Sequence, residues 1–192
     1  MIISRRHKFA FVHIPKTGGT TITSLLLPYL GRGPKRGKGW QTYYHTFGMH
    51  GGIREFNGAK KYFKFAFVRN PWDWLVSLYK SGAIKKRAGY VKRPSWEKMI
   101  SLLSKKHPQP QLSWLTINGK IAVDYIARLE DIDNEVDYIF KKLGLKYNKI
   151  PHRLKRGRPH YTEWYNDKSR KIVARVFRKD IKMFGYKYGT TI

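Results

Sequence analysis

Phe9-Ala10-Phe11-Val12 and Phe65-Ala66-Phe67-Val68 are one apolar tetrapeptide used twice, and each copy runs into a basic, proline-containing turn with an apolar, helix-like stretch behind it. A strand apolar at every position reads as buried on both faces, a pattern typical of parallel strands inside a sheet. When such a strand ends in basic and small residues and then opens a helix, unpaired amide N–H groups and the positive end of the helix dipole meet at one point. An anion is held well there. Two such turns in one chain predict a ligand with two separate phosphate-like groups.

Around these strands the pattern alternates. Phe9 to Ile14 reads as a strand and Thr20 to Leu30 as a helix ended by Pro28 and Gly31, with a basic, glycine-rich loop to Gly39. Lys61 to Val68 reads as a second strand, and Pro71 to Ile84 as a helix whose proline suits the first turn. Ser95 caps a helix over Trp96 to Leu103, and Val123 to Leu129 is a third strand. Asp131 or Asp133 caps a helix that Gly144 stops, and Asn166 or Asp167 caps a last one ending at Gly185, with Ile172, Val173, Val176, Phe177, Ile181 and Phe184 in one stripe. This alternation predicts an α/β fold with a mostly parallel central sheet in three layers, and 192 residues make one domain, 1–192, the simplest expectation. Ligands of such sheets lie beyond the carboxyl ends of the strands, where both basic turns fall.

Composition narrows the function. There is no cysteine, which excludes disulfides, thiolate metal sites and a cysteine nucleophile. The basic start has no long apolar run after it, and no apolar segment approaches the roughly 20 residues of a membrane span, so a cytoplasmic protein is expected. The formal net charge is +28, and the basic residues form clusters at Arg32 to Lys38, Lys85 to Arg93 and Arg153 to Arg158. Such a charge draws polyanions of any kind without specifying a fold. Half of the 12 carboxylates fall between Asp124 and Asp137 and read as capping charge around one helix start.

The first turn, Pro15-Lys16-Thr17-Gly18-Gly19-Thr20-Thr21, is not an ordinary nucleotide P-loop, in which the lysine follows the last glycine and a hydroxyl binds magnesium. Here the lysine comes first. Gly18 and Gly19 admit an anion close to the backbone, Thr17, Thr20 and Thr21 add hydroxyls, and Lys16 adds a charge. In the second turn Arg69 ends the strand and Ser77 follows about two helical turns later; arginine offers a fork to phosphate and serine one hydroxyl.

His13-Ile14-Pro15-Lys16-Thr17-Gly18-Gly19-Thr20 resembles the 5′-phosphosulfate loop of sulfotransferases, and Phe67-Val68-Arg69-Asn70-Pro71-Trp72 with Ser77 and Tyr79 resembles their 3′-phosphate site. Gln111 to Leu115, Gly119, Asp124 to Glu130 and Tyr161 to Tyr165 continue the likeness in weaker form, closest to the bacterial and Golgi-type carbohydrate branch. Ala127 stands where the family usually has glycine. The resemblance implies a P-loop-like sulfotransferase fold and the donor 3′-phosphoadenosine-5′-phosphosulfate, with no metal. It further implies that Lys16 contacts the oxygen bridging phosphate and sulfate and that Thr17 to Thr21 hold the phosphosulfate. Arg69 and Ser77 would hold the 3′-phosphate, and Arg156, Gly157 and Arg158 would close over it.

A residue that takes the acceptor proton speeds transfer to a hydroxyl, and histidine is suited to that near neutrality. Relatives usually place the base between the two donor motifs, where His50 fits best, ahead of His45, with Glu55 or no base as the remaining alternatives. His13 reads as structural. The acceptor expected is a saccharide hydroxyl, with an acidic polysaccharide accounting for the charge. Two other classes stay open: a P-loop kinase, which requires ATP and magnesium, and a polyanion or nucleic-acid binder without catalysis, for which no motif is present.

Overall fold

In a computed structural model, which describes residues 1–30, 52–55, 61–150 and 159–190, the alternation inside the tetrapeptides sorts their side chains onto the two faces of a sheet. The strands are β1 (Ile2–Ser4), β2 (Phe9–Val12), β3 (Phe63–Val68) and β6 (Tyr125–Arg128), in the order β1-β2-β3-β6. β1 runs antiparallel to β2, while β2, β3 and β6 are parallel. The fold is thus mixed α/β with a mostly parallel central sheet.

Phe9 lies beside Phe63, Phe11 beside Phe65 and Phe65 beside Tyr125, so aromatic rings line one face; Phe11 and Phe65 stack at 5.3 Å. Ala10, Val12, Ala66 and Val68 take the opposite face and are fully buried as well. The two tetrapeptides pair out of step. Val12 lies beside Ala66, so the second copy runs two residues further along the sheet than the first. They are two buried strands that share a composition, not a duplicated unit.

The chain packs as two compact units, Met1–Val68 with Ser113–Lys155 and Arg69–Leu112 with Arg156–Ile192. In the first, helix α1 (Gly19–Leu26) and helix α5 (Ile132–Leu143) bring Ile22, Leu26, Val136, Ile139 and Phe140 onto the phenylalanine face. A hairpin of β4 (Thr116–Ile117) and β5 (Lys120–Ile121) joins this unit, turning through Asn118 and Gly119, both at positive φ. The second unit is helical: α2 (Pro71–Lys80), α3 (Ala83–Arg87), α4 (Trp96–Leu102), α6 (Asp167–Val176) and α7 (Arg178–Phe184). Its core is tryptophan-rich, with Trp72, Trp74 and Trp96 packed among Leu75, Met99, Val173 and Phe177.

Two expected helices each divide. Pro71 to Ile84 stops at Ser81, because Gly82 adopts φ 73 and starts α3. The last helix breaks at Phe177, whose φ −101 and ψ 25 depart from helical values before α7 resumes. The caps at Ser95 and Asn166 form as expected, each side chain accepting an amide N–H three residues on. Asp131 takes the cap position of α5 but makes no side-chain cap bond.

Candidate functional site

Each anion turn is built differently. The first belongs to the sheet-containing unit. β2 ends at Val12 and the chain crosses Ile14-Pro15 before α1 opens at Gly19. Lys16 is half-buried at φ 66, a left-handed conformation that costs a residue with a side chain about 1–2 kcal/mol. Gly18, at φ 81, caps α1 without a side-chain bond, and the first turn of the helix carries no acidic residue. The positive end of the dipole therefore meets no acid of its own first turn. Strained backbone of this kind persists where the surroundings over-determine it, and it clusters at ligand clamps.

Gly18 and Gly19 are needed for different reasons. At Gly18 the positive φ excludes most side chains, and a Cβ would also sit 2.5 Å from Leu129 Cδ1. At Gly19 only space matters: a Cβ would lie 1.7 Å from Nε2 of His13, whose buried ring stacks on Phe11 at 5.6 Å. His13 is thus the floor under the loop, in keeping with a structural part. Gly19→Ala is expected to cost about 1–3 kcal/mol by overpacking. In a double-mutant cycle by urea unfolding, adding Gly19→Ala to His13→Ala should cost much less than adding it to the native chain; equal costs would contradict the contact.

The threonines divide as well. Thr17, fully buried, donates its hydroxyl to the carbonyl of Ile14 at 3.0 Å. Thr20 is exposed and Thr21 half-buried. The amide of Thr21 donates to the carbonyl of Gly18 at 2.9 Å, which closes the first turn. The amides of Gly19 and Thr20 precede it, where a helix offers no internal acceptor.

The second turn belongs to the helical unit, and its helix end is already occupied. Asn70 caps α2 by accepting the amide of Trp72 at 3.1 Å, and Asp73 stands in the first turn. The α2 helix end thus carries its own cap and its own acid, unlike the start of α1. Arg69 contributes a guanidinium and Ser77 a hydroxyl to this turn. Arg69 is 6% exposed, and its Nε and Nη2 donate to Oδ2 of Asp73 at 2.8 and 2.6 Å. That ion pair fixes the plane of the fork. Ser77, also 6% exposed, is two turns along α2.

The backbone of Arg69 is clamped too. Its N–H donates to Oε1 of Gln111 at 2.9 Å and its carbonyl accepts from Nε2 of the same side chain at 2.8 Å. Gln111 is itself held: its amide and that of Leu112 donate to Oδ2 and Oδ1 of Asp180 at 2.8 and 3.0 Å. Asn70 Nδ2 donates to the carbonyl of Lys187 at 2.9 Å, tying the C-terminal stretch to the same turn. Asp73 and Asp180 were missed in the sequence. The first had a signal, four residues after Arg69 on a helix; the second, 69 residues from Gln111, had none.

Burial pushes the Asp180 carboxyl up to about 6, against the opposing pull of the Leu112 and Gln111 amides. The folded protein then binds this proton more tightly than the unfolded chain. Its stabilising contribution is full below pH 3.8 and is lost as pH rises through about 6, on the order of 3 kcal/mol in all. Measured by urea unfolding from pH 4 to 7, the advantage of the native chain over Asp180→Asn should shrink as pH rises. A constant difference would refute the shift.

His50, His45, Arg156, Gly157 and Arg158 lie outside the described residues. The described stretch nearest His50 is Ile53–Glu55, placed by buried Ile53 and by Arg54 Nε donating to the carbonyl of Thr116 at 3.1 Å. Among the described residues, no group of three or more His, Asp or Glu side chains is arranged to hold a metal ion, and no helix is long and apolar enough to cross a membrane.

Compared with known protein families, residues 1–187 match the model described as "Sulfotransferase family". No curated protein matches the chain.

Proposed function

The chain belongs to the sulfotransferase family, and on that premise we propose that it transfers a sulfuryl group from 3′-phosphoadenosine-5′-phosphosulfate to a carbohydrate hydroxyl, with residues 1–192 working as one domain of P-loop-like sulfotransferase fold. The observation that carries the reading is the start of α1: a helix end with a glycine cap, no acid in its first turn, and Lys16 held in a strained conformation just before it. That arrangement supports a phosphosulfate. The Arg69 turn, whose helix end is already capped, supports a phosphate held by a fork and a hydroxyl. The two turns offer two kinds of anion contact, which suits a donor with two unlike anionic ends.

In the transfer, the sulfur–oxygen bond to the 5′-phosphate breaks as a new bond forms to the acceptor oxygen on the opposite side of sulfur. Lys16 stabilises charge gathering on the bridging oxygen, and the amides from Thr17 to Thr21 hold the phosphosulfate in line. Arg69 and Ser77 bind the 3′-phosphate, and Arg156, Gly157 and Arg158 close over it. His50, or else His45, takes the acceptor proton. No metal is required in this scheme.

The test is calorimetric binding of 3′-phosphoadenosine-5′-phosphate, followed by labelled-sulfate transfer across a panel of glycans. Binding and transfer are expected, with transfer sharply reduced in one of His50→Ala and His45→Ala. Absence of nucleotide binding would sink the proposal, and turnover of ATP with magnesium would favour a kinase. Equal activity of both histidine variants and the native protein would remove histidine as the base.

A further inference from the structure

We propose that Gln111 and Asp180 are positioning residues for the 3′-phosphate: they form a relay that fixes the backbone of Arg69, and preference for a 3′-phosphorylated donor depends on it. The inference rests on the donor reading above and extends it to two residues that act only by way of Arg69.

Arg69 is held at both ends. Asp73 takes Nε and Nη2 of its guanidinium through one oxygen, which sets the far end. At the near end the Gln111 carboxamide accepts the Arg69 N–H at 2.9 Å and donates to the Arg69 carbonyl at 2.8 Å, as a neighbouring strand would. β3 ends one residue earlier, at Val68, so this side chain extends the hydrogen bonding where strand pairing stops. The near end matters because the arginine side chain is long. A small rotation of its backbone swings the fork beyond the roughly 0.5 Å and 10–20° within which a preorganised contact works.

Gln111, fully buried, owes its own position to Asp180. It opens the short helical turn Gln111–Trp114, whose first amides have no acceptor inside the turn. Asp180, fully buried on α7, takes two of them: Gln111 N–H on Oδ2 at 2.8 Å and Leu112 N–H on Oδ1 at 3.0 Å. Arg69, Gln111, Leu112 and Asp180 all lie in the helical unit. Stability alone does not account for a carboxylate here. Burial disfavours its ionised form, so it contributes least to stability near neutrality. An asparagine would escape that cost but could accept only one of the two N–H groups, with its own amide nitrogen facing the other. What the acid alone supplies is two acceptors in one plane, and with them a fixed Gln111.

The measurement is calorimetric affinity for two probes, 3′-phosphoadenosine-5′-phosphate and adenosine-5′-phosphate, which differ only in the 3′-phosphate. The native protein should prefer the first by at least about 30-fold, the worth of a charged fork and a hydroxyl. Asp180→Asn should weaken the first by about tenfold and the second by no more than about twofold, because only the preorganisation of Arg69 is lost. Gln111→Met, which removes the clamp at similar volume, should show the same selective loss, and it carries the comparison alone if Asp180→Asn does not fold. A merely structural role would weaken both probes alike, and that result overturns the relay. So does a native preference retained in a folded variant. Native protein that binds neither probe, or both equally, overturns the donor reading itself and the relay with it.

Discussion

Asp73→Ala is expected to lower the unfolding free energy by about 3–5 kcal/mol and to remove tight binding of 3′-phosphoadenosine-5′-phosphate in the same step. Arg69 and Asp73 are 6% and 1% exposed, and the carboxylate takes both Nε and Nη2 of the guanidinium through one oxygen. Removing the acid leaves a buried cation without its compensating charge, which is far costlier than never having built the pair. The fork also loses the partner that sets its plane, so the loss of nucleotide affinity follows from geometry rather than from any direct contact between Asp73 and the ligand. Replacing both residues separates these effects. Arg69→Met with Asp73→Leu should recover most of the stability, because a buried pair exchanged for apolar side chains of similar volume is close to neutral, while nucleotide binding stays absent. Urea unfolding and calorimetry on the single and double variants test both halves. A native unfolding midpoint in Asp73→Ala would show that the pair contributes little. Recovered nucleotide binding in the double variant would show that Arg69 is not the phosphate ligand.

The parts of this protein that were legible in its sequence are those set by neighbours along the chain. The buried strands at Phe9 and Phe65, the glycine-capped start of α1 and the caps at Ser95 and Asn166 all follow from residues within a few positions of one another. Three-residue β1 is too short to carry a period. The β4–β5 hairpin had an Asn-Gly signal at 118 and 119 that went unused, because the flanking strands are two residues each. The divided helices show tertiary packing choosing between endings that local propensity leaves equivalent: Gly82 was visible as a stop, Phe177 was not. The second turn was hardest. Its anion chemistry was inferred from Arg69 and Ser77, yet the features that fix it are a carboxylate one turn later, a glutamine 42 positions away and an aspartate beyond that. Hydrogen-bond support of this kind has no sequence spacing, since it depends only on which segments fold side by side.

Lys16 is where the proposed chemistry makes its largest demand, and two substitutions there should give the same loss of activity with different stabilities. Lys16→Ala is expected to reduce kcat by at least about 100-fold, the scale seen when one group stabilising a developing negative charge is removed. Affinity for 3′-phosphoadenosine-5′-phosphate should fall by about tenfold or less, because in the proposed site the lysine is only one of several groups assigned to its phosphates. A kcat loss that exceeds the affinity loss marks an interaction that strengthens in the transition state. Lys16→Gly should be equally inactive but more stable than Lys16→Ala by about 1 kcal/mol, since alanine keeps a side chain at φ 66 and glycine relieves it. Single-turnover sulfate transfer gives the first comparison and urea unfolding the second. Turnover within tenfold of native in Lys16→Ala would take the lysine out of the chemistry. Equal stability of the alanine and glycine variants would mean that the left-handed backbone is not strained, and that Lys16 is positioned by its side chain alone.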